Sequence, residues 1–312
     1  MPSPAATVDL PSADGTTQAL ARRLRNHTVT LAADIGERNV SRPDALAAAA
    51  DFIRTEWATQ GHTVRSQSYR VGDLNCENLE ITMAGAGKPE QIIVLGAHYD
   101  SVAGSPGADD NASGVAALLE IGRLLAPIRP ERTIRLVAFV NEEAPFFPFG
   151  EMGSRVYARA ARQRGDDIRV MMSLEMLGCY NDRPGSQRYP LFMRWFYPDR
   201  GNFIAFVSNL ASRRVLRETV RAFRAHSDFP CESLATFSFV PGVAWSDQLS
   251  FWREGYRALM VTDTAFYRYP HYHTPLDTPD RLCYPAAARV VHGLALAAVE
   301  LAAGPKTRST SR

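Results

Sequence analysis

Hydrophobic positions fall into two alternating periods along the chain. Residues 17–34 and 42–60 carry apolar side chains at helical spacing (Leu20, Leu24, Val29 and Leu31, then Leu46, Ala49, Phe52, Ile53 and Trp57). The breaker GERNVSRP separates them, so the pattern predicts two opening helices. Short apolar runs follow and predict strands: TVRSQSY, NLEITMA, QIIVLGAHYD, TIRLVAFVN, IRVMMSLEML, NFIAFVSN and YRALMVTD. Several are apolar without alternation, as strands covered on both faces are. Between them SGVAALLEIGRLLA, SRVYARAARQR, the stretch from 211 to 225 and finally YPAAARVVHGLALAAVELAA read as helices. The alternation predicts an α/β fold with a mixed, mostly parallel central sheet and helices on both faces, because parallel connections need crossovers of this length. The segment 180–198, rich in aromatics with Pro and Gly, predicts a loop over one end of the sheet. One domain is expected over residues 1–312, with flexible ends at about 1–16 and 304–312.

Composition narrows this without choosing a chemistry. Hydrophobic residues at 46% and charged residues at 22% exclude wholesale disorder. A net charge of +2, with no basic block interleaved with aromatics, argues against a nucleic-acid partner. Arg213, Arg214, Arg217, Arg221 and Arg224 fall mostly on one side of a helix, as a solvated face does. The start, MPSPAATVDLPSADGTTQ, has neither a basic leader nor an apolar run, and no stretch approaches ~18 uninterrupted apolar residues. A cytoplasmic protein without a membrane partner is the expectation. Cys76, Cys179, Cys231 and Cys283 are widely spaced with no CxxC pair, which predicts free thiols.

Five elements carry candidate chemistry. In HYD, at the end of the strand QIIVLGA, His98 and Asp100 lie two apart, so the Asp100 carboxylate faces the same side and is able to orient the His98 ring; a structural pair reads the same way. GADDNASG places Asp109 and Asp110 on a tight turn before a helix, where helix capping competes with metal ligation. NEEA follows a strongly apolar strand, and the adjacent Glu142 and Glu143 would repel each other in a partly buried site unless a cation lies beside them. Glu175 is the only charged residue in VMMSLEMLG, and a lone acid in an apolar strand is costly to bury unless paired or metal-bound. HYHTPLDTPDRL contributes His273 from a stretch whose turn residues explain TPLDTPD but not its histidines.

Together His98, Asp110, Glu143, Glu175 and His273 supply two imidazoles and three carboxylates, each at or just beyond a strand end, where open α/β sheets place their sites. Mixed N and O ligation suits zinc, with cobalt or manganese as substitutes, and not calcium. Five ligands exceed the need of one catalytic zinc with an open position but serve two ions if a carboxylate bridges.

These motifs, in this order and over roughly residues 20–300, resemble the bacterial di-zinc aminopeptidases, relatives of glutamate carboxypeptidase and glutaminyl cyclase. The resemblance implies two Zn2+ per chain: His98 and Glu175 on one, Glu143 and His273 on the other, and Asp110 bridging in preference to Asp109. It further implies a cis peptide between Asp110 and Asn111, Asp100 as orienter of His98, and Glu142 as general base acting on a zinc-bound water. Tyr272 resembles an oxyanion donor, with Tyr267 and Tyr269 close by. Peptides would be the substrates, cut at the N-terminal residue. Two departures stand out: many members have Asp where Glu175 stands, and the aromatics of PFFPFGEMGS are extra, expected to shape the pocket and to suit an apolar N-terminal side chain. Rival readings are a single-zinc glutaminyl cyclase, a carboxypeptidase using the arginines at 213–224, and a non-catalytic binding module.

Overall fold

Residues 14–190 and 193–304 are described in a computed structural model. Eight strands form one sheet: β1 (Arg65–Val71), β2 (Leu74–Met83), β3 (Lys88–His98), β4 (Arg132–Phe139), β5 (Asp167–Glu175), β6 (Ile204–Asn209), β7 (Cys231–Thr236) and β8 (Ala258–Thr262). Their order is β1-β2-β4-β3-β5-β8-β6-β7. The central strands β4, β3, β5 and β8 are parallel, and so are β6 and β7, while β2 on β4, β1 on β2 and β6 on β8 run antiparallel. The mixed, centrally parallel sheet expected from the sequence is therefore present. The run CESLAT of β7 was not among the predicted strands. It is an edge strand with only Cys231 buried, so it carries no apolar signal.

Among the described residues there are seven α-helices: α1 (Gly15–Val29), α2 (Pro43–Thr59), α3 (Gly114–Leu125), α4 (Gly153–Arg164), α5 (Arg213–His226), α6 (Gln248–Arg253) and α7 (Tyr284–Ala303). They divide between the two faces, because each central strand sends alternate residues to opposite sides. In β3, Ile93, Leu95 and Ala97 join the core under α1, α2, α3, α5 and α7, while Ile92 and Val94 join the smaller core under α4 and α6. Continuous apolar runs in the sequence are the signature of that double coverage. Helix α7 is long and apolar enough to cross a membrane, with a mean hydropathy of 1.5, yet 61% of that window is buried here against α1, α3 and α5.

Some expectations shift. The expected flexible ends at 1–13 and 305–312 lie outside the described residues. Asp14, within the stretch expected to be flexible, instead caps α1 by accepting from the Thr17 N–H at 2.7 Å. The arginines of α5 are exposed, a solvated helix face. None of the four cysteines forms a disulfide.

Candidate metal centre

The five proposed ligands and Glu142 come from five separate strand ends and loops, and they meet above the carboxyl ends of β3, β4 and β5. His98 is the last residue of β3 and Glu175 the last of β5. Nε2 of His98 lies 3.3 Å from Asp110 Oδ1 and 3.4 Å from Glu175 Oε2. Nε2 of His273 lies 3.0 Å from Asp110 Oδ2 and 3.4 Å from Glu143 Oε1. Two ligand triads result, each within 4.8 Å, and they share Asp110, which turns one carboxylate oxygen to each.

The loop bearing Asp110 is fixed by its neighbours, and this separates Asp110 from Asp109. Asp109 Oδ1 accepts the Gly178 N–H at 2.8 Å, away from the histidines. Asn111 donates to the Leu174 carbonyl at 2.9 Å and accepts the Met176 N–H at 3.0 Å, and Ser113 accepts the Leu177 N–H at 2.9 Å. The DDNAS run is thus fastened to both sides of Glu175, and only Asp110 is left pointing into the centre. The Asp110–Asn111 peptide is cis. Asp277, read from sequence as a turn residue, accepts the backbone N–H groups of Asp109 and Asp110 at 2.8 and 3.1 Å and the Tyr269 hydroxyl at 3.0 Å.

Asp100 differs from its expected setting. β3 ends at His98, so Asp100 lies beyond the strand and sits 3.5 Å from His98 Nδ1, longer than a good hydrogen bond. Its oxygens instead accept the backbone N–H groups of Glu142 and Glu143 at 3.1 and 3.0 Å. Asp100 therefore aims the glutamate pair at the centre as well as facing the His98 ring.

A residue with no sequence signal braces the whole. Arg38, from the breaker GERNVSRP, is fully buried and donates to the carbonyls of Tyr99 (2.6 Å), Pro106 (2.6 Å), Gly107 (2.9 Å), Gly36 (3.1 Å) and Leu31 (3.3 Å). It ties the HYD turn to the loop that delivers Asp110. Gly107 closes this joint at φ +61°, where a Cβ would lie 2.6 Å from Ser101 Cβ and 3.3 Å from Arg38 Nη2. Burial lowers the Arg38 pKa to about 10 while Asp100, Asp277, Asp110 and Glu143 oppose the shift, so the guanidinium stays charged. Arg38→Met leaves these carbonyls unpartnered and removes a fixed cation from among buried acids, an expected loss of about 3–5 kcal/mol in chemical denaturation.

Of the five non-glycine residues at positive φ among the described residues, three border the centre: Asn141 (+59°) before Glu142, Met176 (+54°) after Glu175, and His273 itself (+57°). Such backbone is unfavourable for residues with a Cβ and persists where surrounding contacts impose it.

The electrostatics call for cations. Burial pulls the His98 pKa down, but Glu175, Asp100 and Asp110 together hold it well above the usual histidine value. Burial likewise opposes charge on His273, and Asp110 and Glu143 raise it to about 10. Glu143 is raised to about 7, by burial and then by Asp110. Glu142 is raised well above the carboxylate range by burial, and Glu143, Glu175 and Asp247 add to this against His98. Meanwhile His98 Nδ1 and Nε2, Asp110 Oδ1 and Glu143 Oε1 are buried with no hydrogen-bond partner. Native interiors rarely tolerate so many orphans unless something else satisfies them. The donor set, imidazole and carboxylate within reach of common points, fits zinc.

Beside the centre opens a cleft of about 840 Å³ counted out to its mouth, with Glu175 and Tyr272 in its lining. From the segment expected to form a loop over one end of the sheet, the described residues Gln187, Arg188, Tyr189, Pro190, Met193 and Tyr197 line it. The aromatics of PFFPFGEMGS do not line it: Phe149 is 79% exposed and packs on Arg253. The rings that shape the cleft come from elsewhere, among them Phe203, Trp245 and Phe266. Of the three neighbouring tyrosines, Tyr267 donates to the Pro241 carbonyl and Tyr269 to Asp277. Tyr272 stacks on His273 at 3.8 Å, its hydroxyl kept protonated by burial and by Asp110 and Glu143.

A fold of this kind carrying paired imidazole and carboxylate triads at its strand ends defines a metallohydrolase-like centre. The sequence profile of Peptidase family M28 matches residues 78–298, and the chain belongs to that family. The YfbL protein of Escherichia coli K12, described as uncharacterized, is 41% identical over 266 residues, covering 82% of this chain and 81% of its own. Of fungal relatives described as probable zinc metalloproteases, the chain spans less than half the length. Among solved structures, a zinc aminopeptidase from Bacillus subtilis superposes with a TM-score of 0.69 at 16% identity, over 90% of this chain and 95% of that one. A Bacteroides thetaiotaomicron glutaminyl cyclase superposes with a TM-score of 0.65 at 19% identity, over 96% of this chain and all of the other.

Proposed function

We propose that this protein is a zinc-dependent aminopeptidase whose centre holds two ions: one between His98, Asp110 and Glu175, the other between Asp110, Glu143 and His273. The observation that carries this is the division of the Asp110 carboxylate, one oxygen to each triad. A glutaminyl cyclase using one zinc would have no use for the second triad. Bound zinc would polarise the scissile carbonyl and make water nucleophilic near neutral pH.

The protein's own groups supply the rest. Glu142, held by Asp100 through its backbone N–H, takes the proton of the attacking water and returns it to the leaving amine. The Tyr272 hydroxyl, protonated and uncommitted to the backbone, donates to the developing oxyanion. Glu175, fixed by the Ser246 hydroxyl at 2.5 Å, faces the cleft and offers negative charge to a free α-ammonium. The arginines at 213–224, which a carboxypeptidase reading would need, do not line the cleft.

Direction is tested with one peptide in three forms. Acetylating its N-terminus is expected to lower kcat/KM by at least ~10²-fold, because a neutral, bulkier amide replaces the ammonium that meets Glu175. Amidating its C-terminus should change the same constant less than threefold. The reverse pattern would make the enzyme a carboxypeptidase.

A further inference from the structure

The sheet register draws a line across the cleft floor. Glu175 on β5 pairs with Thr262 on β8, Thr262 with Ala205 on β6, and Ala205 with Glu232 on β7. Register partners in neighbouring strands project to the same face, so the two glutamates stand on one side of the sheet at opposite ends of a four-strand row. Three strand spacings separate their backbones by about 14 Å. All four residues line the cleft, and the two between the glutamates are small.

The far end is built differently from the near end. Glu232 is half-buried and forms no ion pair among the described residues; burial raises its pKa, and Arg224 counters this from a distance while donating to the sulfur and carbonyl of Cys231. Tyr189 and Tyr197, both in the lining, stack on each other at 5.7 Å with an interplanar angle of 28°. Both hydroxyls are spent on backbone, Tyr189 on the Pro198 carbonyl and Tyr197 on that of Ser233. Ser233, the partner of the Tyr197 hydroxyl, directly follows Glu232 on β7, and Glu232 and Tyr197 line the same cleft. Arg188, also in the lining, is exposed, and the buried Arg268, which acts on Tyr189 more strongly than Glu232 does, is directed to Gln187 Oε1 and the carbonyls of Cys179 and Phe203. An acid beside stacked tyrosine faces is a combination that holds cations.

We infer that this end of the cleft recognises a cationic side chain, so that the enzyme releases N-terminal lysine or arginine: the α-ammonium at Glu175, the aliphatic stem over Thr262 and Ala205, and the terminal charge between Glu232 and Tyr197. It differs from the apolar N-terminal side chain expected from sequence. A four-carbon stem or the longer arginine arm spans the part of the row that the two glutamate side chains leave open. The inference rests on the aminopeptidase reading and names its substrate class.

Zinc-loaded protein is assayed with lysyl and norleucyl p-nitroanilides, which share a stem and differ in the charge. The expected wild-type ratio of kcat/KM, lysyl over norleucyl, is at least tenfold, and E232Q should bring it within threefold of unity. E232K should turn the preference against lysine. Equal wild-type constants, or a ratio that survives E232Q, would overturn the assignment. Calorimetry with lysine amide and norleucine amide reads the same pocket without turnover. Tighter lysine amide binding that E232Q abolishes, in a protein that hydrolyses neither anilide, would uphold the cation site and sink the aminopeptidase reading. Equal binding of the two amides would sink the cation site itself.

Discussion

Glu142→Gln is expected to lower kcat by ~10²–10⁴-fold, the usual contribution of a positioned general base, while zinc content, fold and KM stay close to those of the parent. The substitution is nearly isosteric and keeps the backbone N–H that Asp100 accepts at 3.1 Å, so the loop should stay in place. What it removes is the proton acceptor. Glu142 stands among His98, Glu143, Glu175 and Asp247 but belongs to neither ligand triad, so its loss should not empty the centre. Elemental analysis beside steady-state kinetics separates the roles. A variant that retains full turnover would place the base elsewhere, and Asp247, buried with both oxygens unpartnered, would be the next to replace.

The contrast between Glu175 and Glu120 shows how far sequence carried the assignment. Each is a buried acid in a strongly apolar segment, β5 for one and α3 for the other. Glu120 is answered within the fold: although burial works against its charge, His27, Arg23 and Arg123 hold its pKa at about 2. Glu175 receives one hydroxyl and faces His98 across a gap. A lone acid in an apolar run therefore announces that a cation is near but not which kind. Position at a strand's carboxyl end, shared with His98, was the part that discriminated.

The central strands were legible because burial on both faces leaves a continuous apolar run. β7 was not, because an edge strand satisfies half its surface with water. The supports of the centre escaped notice for another reason. Asn111, Ser113, Asp277 and Arg38 are residues that turns and loops use anyway, and the bonds by which they tie the centre together reach partners 61 to 168 residues away. No local pattern encodes such distances. Glu232 is hidden in the same way: CESLAT looks like loop until the register shows it opposite Glu175.

Asp110→Asn probes the feature on which the two-ion reading stands. An amide keeps one acceptor oxygen and replaces the other with an N–H2 donor that cannot ligate a cation. Because Asp110 Oδ1 faces His98 and Oδ2 faces His273, either orientation of the amide strips a ligand from one triad and turns a donor toward a metal. By contrast, His273→Ala touches one triad only. His273 is the outermost of the proposed ligands, with about a third of its side chain exposed (34%), whereas Asp110 is buried. Wild-type protein equilibrated with zinc and freed of excess should therefore hold two ions per chain, H273A about one, and D110N fewer than one. Activity should fall at least ~10²–10³-fold in D110N, the scale on which losing a preorganised electrostatic group acts. A wild-type chain that binds a single zinc and is fully active with it would assign the second triad to structure, and the centre would then be closer in design to a one-ion enzyme.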